Sequence, residues 1–231
     1  MKFRLVTTPA AKARHLDIAP VTVTIPSRPM RILDFDVECR PLSWISSDYV
    51  SKDITAIAWG WASTINTPPE AVTVHLLGSS HEYTPWDEQR LMLEAFLRVY
   101  NEADMVTGHY IRGFDLPTIN GALMEHRLPA LGDKLTCDTK LDFMRTSGMS
   151  LSQEAIGAML KLDHQKVVMN QDKWRRANRL EPEGIEEARK RVAGDVRMHM
   201  EMRRELLKLG YLNAPKLWRS LSEQPLATYA P

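Results

Sequence analysis

Val106-Thr107-Gly108-His109-Tyr110-Ile111-Arg112-Gly113-Phe114-Asp115-Leu116-Pro117 reads as a short strand that feeds a glycine-containing loop and then a helix, with Asp115 at the helix mouth. Pro117 is tolerated in a first helical turn, where its missing N–H costs nothing. Upstream, residues 31–37 read as a strand anchored by Ile32, Phe35 and Val37. Residues 53–62 form a nearly continuous apolar run, the pattern of a central strand covered on both faces. Residues 71–77 are a third strand closed by Gly78, and short polar joins predict an antiparallel meander. Residues 86–100 then carry a helical apolar stripe after the acidic start Asp87-Glu88.

Downstream, the spacing predicts a helix over 116–126, a strand over 135–138 and a helix over 152–160 capped by Ser150 or Ser152. Residues 161–180 are polar and read as a loop with partial helix. Residues 183–209 give the strongest helix, with Glu183, Glu186 and Glu187 at its positive end and Lys208 and Gly210 at its close. Strands followed by alternating helix and strand predict one α/β domain on a mixed sheet over 31–210. Residues 1–30, with a short strand over 21–25 punctuated by Pro20, Pro26 and Pro29, read as an extension packed on that domain. Residues 211–231 read as an irregular tail.

The chain has 231 residues, 44% hydrophobic and 26% charged, enough for a sizeable core in an ordinary globular protein. Thirty Lys and Arg against 29 Asp and Glu leave a net charge of +1, without the strongly basic footprint of a non-specific nucleic-acid binder. Cys39 and Cys137 have no metal or redox spacing, which disfavours a disulfide scaffold or thiolate zinc site and fits a reducing cytoplasm. The longest apolar stretch, 54–62, is too short to cross a bilayer, so no membrane role is expected. Lys2 and Arg4 precede no apolar region, and no signal peptide is expected.

Three constellations carry possible chemistry. On the first strand Asp34, Asp36 and Glu38 share one face, since side chains alternate with a period of two. Either this is a solvated edge strand, or the acids are paired or hold a divalent metal, because buried carboxylates require compensation. In the loop segment, Asp115 is an N-cap, a ligand or both; capping alone explains neither the two glycines nor Phe114 beside the acid. On the long helix, Ala188, Val192, Asp195, His199, Met202 and Leu206 recur at spacings of three and four, placing an acid and a histidine on the core-facing stripe. An i,i+4 bridge to Arg191 accounts for Asp195 only if it is exposed.

Together the Asp36-x-Glu38 strand, the Thr107–Pro117 run and the helical Asp195-Val196 resemble the DnaQ-like (DEDD) 3′–5′ exonucleases. The likeness is nearest to the proofreading domain of family B DNA polymerases, here without a polymerase module. Cys137-Asp138-Thr139 and the 151–160 segment fall where that family has similar segments. The resemblance implies an RNase H-like fold with a mixed five-stranded sheet flanked by helices. It implies a two-metal phosphodiesterase acting on 3′ ends, with Asp36, Glu38, Asp115 and Asp195 as catalytic acids and metal ligands. Two divalent cations, Mg²⁺ or Mn²⁺, are the implied cofactors. Single-stranded DNA 3′ ends are the implied substrate, with RNA as the alternative, and replication or repair proteins the implied partners. Phe114 and Tyr110 are candidate substrate-binding residues, Tyr110 standing where the family has Asn. Arg191 and Lys190 occupy the positions of the family's Tyr or His base. Arginine cannot accept a proton, which leaves His199 as a candidate general base. A binding domain without cleavage is the reading from another class, and the intact acidic motifs argue against it.

Overall fold

The computed structural model describes residues 28–40, 53–62, 72–212 and 214–220. The strand expected over 21–25, most of the expected extension and the end of the tail lie outside these residues.

β1 (Ile32–Arg40) is apolar on one side and acidic on the other, and both sides are covered. Leu33, Phe35 and Val37 face α1 (Pro85–Glu102) and α2 (Asp115–Glu125), whose Met92, Leu93, Phe96, Leu116, Ile119 and Leu123 complete the largest core cluster. The rings of Phe35 and Phe96 lie 5.0 Å apart. β2 (Asp53–Ala62) pairs antiparallel with β1 and sends Ile57 and Trp59 into the same core. Its alternate residues Ala56 and Ala58 face the other way, where Ala188, Val192, Val196 and Met200 of α6 (Pro182–Lys208) pack on them. Small side chains on β2 let α6 come close to the sheet, and its polar stripe then lies over the acidic side of β1.

The sheet also contains β3 (Val72–Leu76), β4 (Met105–Gly108), β5 (Lys134–Asp138) and β6 (Lys216–Trp218), in the order β3-β2-β1-β4-β5-β6. The first three strands are the expected antiparallel meander. β4 and β5 run parallel to β1, and β6 returns antiparallel on β5. Among the described residues the count is therefore six strands and not the expected five. β6 is three residues long, and so short a run amid prolines carries no readable alternation. One helix exceeds the sequence reading: α3 (Thr139–Ser147) is capped by the Asp138 side chain and ends at Gly148 with φ 73°. α5 (Gln171–Asn178), capped by Asn170, is the partial helix expected within 161–180. α4 (Gln153–Leu160) starts at Ser152, one of the two predicted caps. No helix among the described residues is long and apolar enough to cross a membrane.

β1 lies between β2 and β4, which removes the solvated-edge reading of its acids. Asp34 is 0% exposed and receives Nε (3.1 Å) and Nη2 (2.8 Å) of Arg203, while Nδ1 of His199 lies 2.9 Å from it. This pairing ties the middle of the sheet to the last turns of α6. Asp34→Ala leaves the guanidinium of Arg203, itself 1% exposed, without its carboxylate. The expected loss is about 3–5 kcal/mol of unfolding free energy, measured by urea titration against wild type; a loss within 1 kcal/mol would contradict this account.

Candidate metal centre

Three local devices place the acids. The first is a bulge in β1: the register with β2 shifts between Glu38 and Cys39, and the Thr55 hydroxyl donates to the Glu38 carbonyl at 3.1 Å. Bulges at strand ends re-aim side chains, and this one follows directly on an acid of the cluster. The second is the loop from β4 to α2. A Cβ at Gly108 would stand 2.7 Å from the Phe35 carbonyl oxygen and 2.3 Å from Cγ2 of Ile111, so glycine is what allows the loop to pass so near β1. Tyr110 takes a left-handed φ of 74°, and the Phe114 N–H returns to its carbonyl at 2.9 Å. The Asp138 carboxylate fixes the turn by accepting the backbone N–H groups of Tyr110, Arg112, Lys140 and Leu141 at 2.9–3.1 Å. The third is α6, whose buried stripe carries Asp195 as expected.

These devices bring Asp36, Glu38, Asp115 and Asp195 to one cleft, lined also by Val37, His109, Tyr110, Phe114, Lys166 and Arg191. Its volume is about 180 Å³, below the roughly 300 Å³ at which sites that enclose a small molecule begin. Asp36, Glu38 and Asp195 each present an oxygen within 4.8 Å of the others. Asp115 stands outside that trio, against the β1 backbone, where its Oδ1 accepts the Val37 N–H at 3.2 Å. The N-cap position of α2 is Phe114 and Asp115 is the first helical residue, so Asp115 is not the N-cap that the sequence offered.

Every acid of the cluster is held above its ordinary pKa. Burial raises Asp36 well above its ordinary range, with repulsion from Asp115, Asp195 and Glu38 added and the charge of Lys166 opposing. Glu38 is pushed up to about 7 by burial and by Asp195, against the pull of Arg191 and Lys166. Asp115 also reaches about 7 through burial, despite hydrogen bonds from the Val37 N–H and its own, with Asp138 and Glu38 adding repulsion. Burial raises Asp195, and Lys166 and Arg191 draw it back. The neighbouring His109 is driven down to about 3 by burial and by the charges of His199, Lys140 and Lys166, and so is neutral.

The donor set suits a hard divalent cation: carboxylate oxygens converge from separate elements. Asp195 Oδ1 is buried and has no hydrogen-bond partner among the described residues, as befits an oxygen open to a ligand.

Of the other residues singled out in the sequence, Tyr110 and Phe114 line the cleft. The ring of Tyr110 lies under Nζ of Lys140 at 4.4 Å, and Gly113 leaves it room, since a Cβ there would come within 2.4 Å of the ring. Phe114 also packs against the main core. His199 does not line the cleft; Asp34 engages its Nδ1, and its Nε2 is buried without a partner among the described residues. Arg112 and Lys134 are occupied internally, Arg112 on Asp142 at 2.6 Å and Lys134 on the Ala103 carbonyl at 2.7 Å. Two residues were not singled out. Lys166 brings Nζ to 3.5 Å from Asp195 Oδ2 from a polar segment with no periodicity to mark it. His109 sits inside the loop run 106–117, where a lone histidine between a glycine and a tyrosine has no distinguishing pattern.

No protein-family model matches the sequence, and comparison with curated proteins found no match. Among solved structures, the fold is similar to that of the family B DNA polymerase from the hyperthermophilic archaeon Pyrobaculum calidifontis, with a TM-score of 0.59 and 14% identity over 79% of this chain. The matched region is 25% of that polymerase's length. At this identity the likeness concerns the fold: an α/β domain with a six-stranded mixed sheet, consistent with the RNase H-like class.

The raised pKa values fix a pH dependence for the metal-free protein. An acid with a folded pKa above its unfolded one binds more protons when folded, so its contribution to stability falls as pH rises between the two values. For Asp115 that window runs from its ordinary value of 3.8 to about 7. Asp115→Asn keeps an acceptor for the Val37 N–H and removes the charge. In EDTA its stability relative to wild type should climb from pH 4 to pH 7 and then level off, as read by chemical denaturation at each pH. A constant difference would overturn the assignment of Asp115 as a strained carboxylate.

Proposed function

We propose that this chain is a metal-dependent 3′–5′ exonuclease that hydrolyses phosphodiester bonds at the 3′ end of single-stranded DNA. The observation that carries the reading is the convergence of Asp36, Glu38 and Asp195 within 4.8 Å, with Asp195 Oδ1 buried and unpartnered. Asp115 completes the four acids on the same cleft, in the motif order that resembles the DnaQ-like exonucleases. Bound Mg²⁺ or Mn²⁺ would lower the pKa of a water and stabilise the leaving 3′-oxyanion.

The protein's own groups have distinct tasks in this reading. The carboxylates hold the ions and, once ions are bound, remain ionised because the cations reverse the repulsion that raises their pKa values. Phe114 and Tyr110 give the cleft aromatic walls against which a terminal base can stack, a contact that tolerates any sequence. Lys140, beside the Tyr110 ring, offers a cation to a backbone phosphate. His109, being neutral, can direct a hydrogen bond into the cleft without adding charge. A narrow cleft admits an unstacked terminal nucleotide more readily than a paired one, which favours single strands over blunt duplex. The 3′ direction rests on the resemblance of the acidic motifs to the DnaQ-like exonucleases alone. Arg191 stands where an ionisable tyrosine would assist water activation, so that task falls mainly to the metal. His199 has only Nε2 left for such a role, since Asp34 holds its other nitrogen.

The deciding experiment incubates 5′-labelled and 3′-labelled single strands of DNA and RNA with the protein in Mg²⁺, Mn²⁺ or EDTA. A ladder shortening from the 3′ end of DNA, absent in EDTA, is expected; cutting of closed circles or shortening from the 5′ end would refute the proposal. Asp36→Ala and Asp115→Ala should lower the rate by more than about a hundredfold, beyond the loss typical of residues that only support metal ligands. Both variants should keep wild-type circular dichroism, since each removal relieves repulsion.

A further inference from the structure

Arg191 lies one turn before Asp195 on α6 and reaches into the acid cluster. Its Nε is 2.9 Å from Asp195 Oδ2 and 3.6 Å from Glu38 Oε1, so one guanidinium bridges two of the three converging carboxylates. The side chain is 15% exposed, and its Nη1 donates to the Val167 carbonyl, which anchors the far end of the fork. Lys166, the residue before that carbonyl, sets Nζ 3.5 Å from the same Asp195 oxygen. The two oxygens of Asp195 are thus divided: Oδ2 faces two cations, and Oδ1 has no partner among the described residues.

Charge counts in the same direction. Four ionised acids carry four negative charges; Arg191 and Lys166 cancel two, and the remainder is matched by a single divalent ion. An arginine keeps its proton at every working pH, so this compensation yields only to movement of the side chain and not to deprotonation.

We propose that Arg191 is a resident counter-cation that holds one of the two cation positions of the cluster. The protein at rest then takes up one divalent ion tightly, and a second only when the guanidinium is displaced from Glu38 and Asp195. The inference rests on the metal-site reading above and concerns how that site fills.

The test counts Mn²⁺ bound to the full-length chain by calorimetry and by the free-ion EPR signal. Wild type should show one tight ion and a second weaker by at least about tenfold, a lower bound for a unit positive charge about 4 Å from a divalent ion even in water. Arg191→Gln should tighten the second ion by at least about tenfold, whereas Arg191→Lys, which keeps the charge, should leave it weak. In EDTA the Gln variant should melt below wild type, because its acids have lost a counter-charge, and Mn²⁺ should raise its Tm more than it raises that of wild type. Two equally tight ions in wild type would overturn the inference and leave the metal site standing. So would an unchanged second affinity in Arg191→Gln, or a Lys variant that behaves like it. Absence of bound Mn²⁺ in all three proteins would overturn the metal-site reading itself.

Discussion

Asp34, Asp36 and Glu38 project from one side of a central strand onto a helix, and three like charges in so confined a space must each be compensated. α6 supplies the compensation with a row of residues four apart: Arg191, Asp195, His199 and Arg203. Two strand residues advance about 6.6 Å and four helical residues about 6 Å, so the two rows stay nearly in step. Asp34 meets His199 and Arg203 at one end, and Glu38 meets Arg191 at the other. Between them lies Asp36, facing Asp195, another acid. One end of the row is a closed ion pair that fixes the helix on the sheet. The middle is where negative charge stays in excess.

That excess would be dispersed if the loop from β4 were free to move. Asp138 prevents this by taking four backbone N–H groups, two from the loop and two from the start of α3, and Gly108 permits the chain to press against the Phe35 carbonyl. Asp115 is delivered to the β1 backbone as a result, and the bond from the Val37 N–H holds it there. A hydrogen bond from the backbone lowers a carboxyl pKa, yet Asp115 still reaches about 7, because burial outweighs it. The cluster is therefore costly as built, and a ligand of opposite charge is what would remove the cost.

The long periodic elements were legible from sequence because their signals are local. The α6 stripe of Ala188, Val192, Asp195, His199, Met202 and Leu206 is buried as its spacing required, and the alternation of β1 placed its three acids together. β6 and α3 escaped because each owes its shape to neighbours: β6 exists by pairing with β5, and α3 by the cap that Asp138 provides while holding another loop. The partners of Asp34 were 165 and 169 residues away, beyond any pattern that one segment can show. Lys166 was hidden for the same reason. The acids of the cluster were readable because their chemistry is unusual for a covered strand, whereas a lysine in a polar loop is ordinary until the fold sets it beside Asp195.

A net charge of +1 conceals how unevenly the charge is arranged. For a polyanionic strand the acid cluster alone is a repulsive target, and the low-dielectric walls of a cleft would focus that repulsion outward. Arg191 and Lys166 offset it from within, and Lys140 stands at the Tyr110 wall. On the proposed function, a bound divalent ion does more than supply chemistry: it changes the sign of the field that an approaching phosphate meets. Metal uptake and strand entry would then be thermodynamically coupled, each favouring the other. On that reading, a chain whose net charge is only +1 would hold a single-stranded end mainly by its terminal phosphodiester.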